Sequence, residues 1–143
     1  MAKKTSAYSM LAVAATLDGL QVQGLWDGDD AVTVTQGADV GTGLVGADGS
    51  SIFSQSADGS ARVSLKLMHT SPTHRQLMQK WAQQNAGRVV GFPFALKETL
   101  SGGGGVTDQA FIQTAPVHNE GKVATVREWV LWTGDWRPEI PNV

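Results

Sequence analysis

The sequence predicts a mainly β fold, a β-sandwich or barrel with one flanking α-helix, in a single domain covering residues 1–143. Three observations predict it. Short β-prone runs recur between strong turn signals, among them Asp18-Gly19, Asp48-Gly49 and Asp58-Gly59. Residues 62–68 alternate, with Val63, Leu65 and Leu67 on one side and Arg62, Ser64 and Lys66 on the other, the pattern of a half-buried strand. Only residues 72–86 place apolar side chains at helical spacing. Many short strands around one helix pack most simply as layered or closed β structure.

Taken in order, residues 8–16 and 20–26 form a first hairpin through Asp18-Gly19. Asp27, Gly28, Asp29 and Asp30 make a turn, and residues 31–36 alternate as a strand, Val32 and Val34 against Thr33 and Thr35. Residues 40–46 and 51–56 are weaker strands or one long hairpin, and residues 37–59 as a whole read as a Gly-rich β-arm. The strand at 62–69 is stopped by Thr70-Ser71-Pro72, where Ser71 is an N-cap and Pro72 occupies the first helical position. The helix buries Leu77, Met78 and Trp81 and ends before Gly87. Residues 88–97 are a strand interrupted at Pro93, which bends or lies at an edge. Residues 101–105 are a flexible loop, 108–117 a strand ending at Pro116, and 122–136 the longest strand, entered by a turn at 119–121.

Composition narrows the function classes. A chain of 143 residues is long enough for a real core. Charged residues make up only 17%, below the usual share of about a quarter, so part of the surface is expected to be covered by copies of the chain. A net charge of −2 argues against a protein that grips nucleic-acid phosphates. Cysteine is absent, which removes disulfides and thiolate metal sites. No apolar run approaches membrane-spanning length, so no membrane insertion is expected. Lys3-Lys4 followed by residues 9–16 faintly imitates a signal peptide, but the apolar stretch is short and runs straight into a strand.

The motifs that could carry chemistry lack their context. Gly41, Gly43 and Gly46 satisfy G-x-G-x-x-G, but a turn follows where a dinucleotide site needs a helix. The acidic turn 27–30 offers hard oxygen ligands, yet neither the spacing nor a following bidentate Glu matches a calcium loop. His69, His74 and His118 are too scattered for a metal site and accompany no nucleophile elbow. The glycine run 102–105 leads into a strand rather than a phosphate-binding helix. No catalytic residue, cofactor or metal is therefore expected, and a small hydrolase has no visible titratable cluster.

Trp129 and Trp132 lie three apart and face opposite sides of an extended strand, with Trp136 on the parity of Trp132. A strand apolar on both faces is covered on both, so Trp129, Trp132 and Trp136 mark core or an interface strand. A sugar-binding platform of exposed Trp rings on a monomeric β-sandwich is the alternative.

The run Val45-Gly46-Ala47-Asp48-Gly49, the polar strand after it, the alternating strand and the Thr70-Ser71-Pro72 helix start, together with the pattern GLWDGDDAVTV at residues 24–34, resemble the tail tube proteins of contractile-tailed bacteriophages over about half the chain, residues 20–87. The resemblance implies a structural subunit, not an enzyme, whose copies form hexameric rings stacked into a tube that double-stranded DNA passes through as a transient passenger. It implies the tail sheath, baseplate and tail terminator proteins as further partners, a virion tail location and assembly in the host cytoplasm. A secretion-system tube protein would share the fold. Tail tubes join sheets edge to edge, and the uncharged polar strands here (Thr33, Thr35, Gln36, Thr42, Ser54, Gln55) leave such edges open to pairing. The β-arm, with Gly41, Gly43, Leu44, Val45, Asp48, Ile52 and Phe53, is expected to reach an adjacent subunit or ring and to order on assembly.

Overall fold

The alternating segment becomes the longest-paired strand of the fold. In the computed structural model, which describes residue 3 and residues 5–142, Ala61–Met68 (β6) buries Ala61, Val63, Leu65 and Leu67 completely. It pairs antiparallel with two strands, Val32–Gln36 (β3) and Val126–Thr133 (β9). The remaining strands are Val13–Leu17 (β1), Leu20–Gln21 (β2), Gly41–Val45 (β4), Ser51–Gln55 (β5), Phe92–Glu98 (β7), Gly104–Thr114 (β8) and Arg137–Glu139 (β10). An eight-stranded sheet runs β2-β1-β7-β8-β9-β6-β3, with β10 added beside the start of β8. Every pairing between these strands is antiparallel. The other pair, β4 and β5, forms a separate two-stranded sheet.

The large sheet rolls on itself. Val32 and Val34 of the edge strand β3 pack against the same core as Leu96 of β7 and Trp136, although β8, β9 and β6 separate them in sheet order. The interior holds Leu17, Phe94, Ile112, Trp129 and Leu131 with the β6 side chains. The helix Pro72–Asn85 (α1) lies across one end of this roll. Ser71 caps it, accepting from the Thr73 and His74 amides at 3.1 and 3.3 Å, and its hydroxyl donates to the Gln23 carbonyl. Gln76 and Gln84 donate to the Leu17 and Ile112 carbonyls at 3.2 and 2.9 Å, tying α1 to the ends of β1 and β8.

The expected architecture and helix are therefore present, with local corrections. The first strand begins at Val13, because Met10–Ala12 turn as a short 3-10 segment capped by Ser9. The hairpin after it is short. Asp18 and Gly19 sit at φ 52° and 81°, the left-handed pair of a type I′ turn, and β2 keeps only two residues before the chain leaves. The loop expected at residues 101–105 supplies the first residues of β8, since Gly104 and Gly105 pair with Lys97 and Leu96. Gly105 is required there: a Cβ would run into the Trp136 ring. The strand expected over 122–136 is ordered as β9 only from Val126 and stops at Thr133. Pro93 sits in a central strand rather than at an edge, at a register shift between Phe92 and Phe94 where its missing N–H leaves no ladder bond unmade. Met78 is not on the buried helix face. Thr73, Leu77 and Trp81, four apart, face the core, and Met78, 100° round from Leu77, is exposed. Of the Lys3-Lys4 pair, Lys4 lies outside the described residues, as do Met1, Ala2 and Val143 at the ends of the expected domain.

Candidate functional site

The feature that stands apart from the core is the hairpin β4–β5. Gly46 and Ser50 close it, with Gly46 N–H donating to the Ser50 carbonyl at 2.7 Å and Gly49 N–H to the Gly46 carbonyl at 3.1 Å. Gly49 takes φ 88°, and the Asp48 carboxylate accepts from the Ser50 amide at 3.0 Å. That amide holds the Asp48 carboxyl below its ordinary range, and Ser60, through its side chain and amide, does the same for Asp58 at the foot of the arm. Register places Leu44 opposite Ile52 on one face, and Gly43 opposite Phe53 on the other beside Val45. The Phe53 ring lies over Gly41, where a Cβ would collide with it. Leu44, Val45, Ile52 and Phe53 are each about two-thirds exposed, so the hairpin is apolar on both faces and covered on neither. The two strands pair only with each other, and an isolated two-stranded hairpin is marginal in water.

The second open feature is the edge of β3. Lys66 N–H donates to the Ala31 carbonyl and Gly37 N–H to the Ser60 carbonyl at 2.8 and 2.9 Å, which sets the hydrogen-bonded pairs at alternate residues. The N–H and C=O groups of Val32, Val34 and Gln36 consequently point to the free edge, and no lysine, arginine or proline in β3 guards it.

The three tryptophans separate. Trp129 is fully buried beneath α1, where its Nε1–H donates to His74 Nδ1 at 3.0 Å and its ring meets Trp81 edge-on at 6.3 Å. Its burial within the chain removes it from any outer surface. Trp132 faces the opposite side of β9 and is 39% exposed. Trp136 does not share that side, because β9 ends at Thr133 and the chain bends. Its N–H donates to the Gly59 carbonyl at 3.0 Å and its ring packs 6.3 Å from buried Phe94.

Polar groups that could suggest chemistry are committed locally. Asp30 binds Lys66 Nζ at 2.7 Å, a hydrogen bond and charge that hold the Asp30 carboxyl below and the Lys66 ammonium above their ordinary ranges. Glu128 lies 3.9 Å from the same ammonium. The G-x-G-x-x-G glycines run along β4 rather than into a helix. His118 Nε2 sits 3.2 Å from Glu120 at the surface. Burial first, then the Arg127 guanidinium and the charges of His69 and His118, hold the His74 imidazole below its ordinary value. Among the described residues no group of three or more His, Asp or Glu side chains is placed to hold a metal ion.

Sequence reasoning missed Arg127. It is buried on the Trp129 side of β9 and donates to the Thr125 hydroxyl at 2.7 Å and to the side-chain and main-chain oxygens of Asn119 at 3.4 and 3.3 Å, pinning the irregular segment before β9. Its only signal was parity with Trp129. The buried Thr107 and Thr133 hydroxyls, 2.6 Å apart, carried no signal, because a bulge in β8 brings them together.

A family model described as the bacteriophage PhiTE tail tube protein matches residues 5–137. The chain belongs to this tail tube protein family. Two solved structures share its fold. A sheath/tube terminator of the PVC extracellular contractile injection system in the extended state has 10% identity and a TM-score of 0.63, covering 95% of this chain and 99% of that one. The anti-feeding prophage tube-terminating cap has 11% identity and a TM-score of 0.58, covering 97% and 95%. No curated protein matches. Membership gives this tail tube family chain a structural role in a phage tail, and the match extends well past the region from residue 20 to 87 in which its sequence resembled such proteins.

Proposed function

We propose that the chain is the repeating subunit of a phage tail tube: copies join laterally into hexameric rings, the rings stack, and their rolled sheets line a channel for DNA. The observation that carries this reading is the β4–β5 hairpin, apolar on both faces and left uncovered by the described residues of its own chain. A group of four large exposed apolar side chains on a marginal hairpin is costly in a free monomer and is expected where another surface closes over it. The free β3 edge supports lateral joining, since an unguarded edge accepts a strand from a neighbour. Such contacts between unlike surfaces close into rings by rotation or extend into filaments.

The reading extends to partners. The sheath surrounds the tube, a terminator ends it and a baseplate starts it, with assembly in the host cytoplasm and residence in the virion tail. DNA passes without being held: with a net charge of −2 the subunit offers few phosphate clamps. Sub-micromolar binding of duplex DNA at physiological salt would contradict that part. The whole reading is tested by deleting residues 41–56. The variant is expected to keep its circular dichroism spectrum and cooperative melt while losing polymerisation in sedimentation; tubes formed without the hairpin would refute the role assigned to it.

A further inference from the structure

Charge along the chain is segregated: residues 5–61 contain no Lys or Arg, and residues 59–97 contain no Asp or Glu. The arm therefore carries only negative charge, at Asp39, Asp48 and Asp58, all exposed. The helix and the segment after it carry only positive charge, at Arg75, Lys80 and Arg88. Lys80 is taken by Asp18 at 2.6 Å, whereas Arg75 and Arg88 are exposed and make no ion pair among the described residues. Beside them lie exposed apolar groups: Met78 at 40%, Val89 at 61% and Val90 at 76%.

Topology puts these two surfaces at opposite ends of the subunit. The arm joins β3 to the N-terminal end of β6, and α1 follows the C-terminal end of β6. Eight strand residues separate them, roughly 24 Å at the rise of an antiparallel strand. Val89 and Val90 precede β7, whose start pairs with Ala110 of β8 and lies at the α1 end, where Gln84 reaches the Ile112 carbonyl. The hairpin leaves its own chain at the end opposite α1 and pairs with no other strand there, a position from which it can meet the α1 end of another copy.

We propose that the β4–β5 hairpin of one subunit docks on the α1 end of a second copy, with Leu44, Val45, Ile52 and Phe53 covering Met78, Val89 and Val90, and the arm aspartates facing Arg75 and Arg88. This rests on the stacked-ring reading and supplies its axial contact. Unlike ends meet, so the contact repeats along the axis without closing. The acidic arm is thereby matched to the unpaired Arg75 and Arg88 of the α1 end rather than to another arm, which gives the tube a polarity.

The chain has no cysteine, which allows a direct test. Phe53→Cys and Val89→Cys variants are mixed in equal amounts, assembled and mildly oxidised. A disulfide-linked dimer confined to the mixture is expected. Tubes that form without that dimer, or a dimer from Phe53→Cys alone, overturn the docking and leave the stacked-ring reading standing; a wild-type protein that never assembles overturns both. A charge reversal is the second arm. Arg75→Glu with Arg88→Glu is expected to raise the concentration needed for assembly at least about tenfold, and Asp39→Lys with Asp48→Lys is expected to recover it. Unchanged assembly in the reversed variant, or no recovery in the quadruple variant, overturns the proposal.

Discussion

At the residue scale, Trp129 and His74 show how β9 and α1 are locked together. The indole fills the space under the helix, and its N–H donates to His74 Nδ1. Trp129→Ala leaves a large cavity and an unpartnered imidazole, and is expected to cost about 3–5 kcal/mol, read from denaturant midpoints. Neutral His74 is required for this bond, because a proton on Nδ1 removes the acceptor. Its folded-state pKa lies below the ordinary histidine value of 6.5, so the unfolded chain binds the proton first. The stability His74 contributes is fully present above about pH 6.5 and declines as pH falls from there toward its folded value. Asp30, Asp48 and Asp58 also have depressed folded pKa values, but from 3.8, so their stabilisation is lost only at more acid pH. Thermal melts between pH 7.5 and 5 should show a decline that His74→Gln flattens; an unchanged slope in that variant would assign the decline elsewhere. Neither partner was legible as a pair. Parity placed Trp129 on one face of β9, but nothing in the sequence brings residue 74 within 3.0 Å of residue 129. Arg127 was hidden for the same reason, since an arginine at an alternating position reads as solvent-facing until its neighbours are known.

At the element scale, local chemistry was readable and long-range geometry was not. Ser71-Pro72 fixed the start of α1, and the alternating β6 was correct in phase, because caps and period-2 burial are properties of a few consecutive residues. Strand ends were misread where a distant group decides them. Gly104 and Gly105 read as a loop, yet the Leu96 and Lys97 backbone crowds Gly104 and the Trp136 ring needs the space a side chain would fill at Gly105. β10 follows three residues after β9 and pairs with β8, a contact invisible in the run 122–136. Two substitutions follow. Ser71→Ala removes the cap and the bond to Gln23, and should destabilise the protein by about 1 kcal/mol or somewhat more, measured by chemical denaturation. The hairpin β4–β5, held by its own ladder alone, should exchange its amide hydrogens fastest among the strands in the unassembled protein and become protected in assemblies. Hydrogen exchange by mass spectrometry checks both states, and equal exchange in the two would deny the hairpin any part in assembly.

At the scale of the whole molecule, an eight-stranded roll plugged by one helix satisfies its interior, and what it leaves open is ordered by position. The sequence indicated the rolled β class and a Gly-rich hairpin set apart from it. It did not indicate that arm and helix sit at opposite ends, because that depends on sheet order, which no local pattern encodes. The proposed pairing of the arm aspartates with Arg75 and Arg88 predicts salt-sensitive assembly. Raising salt from low to molar concentration should shift the population toward single subunits or rings, as screening shortens the reach of exposed charges to about 3 Å. The central claim, that the subunit is incomplete alone, is tested most directly by electron microscopy of the purified protein at high concentration. Stacked rings with a central channel are expected. A field of separate particles of 15.1 kDa, unchanged as concentration rises, would contradict it.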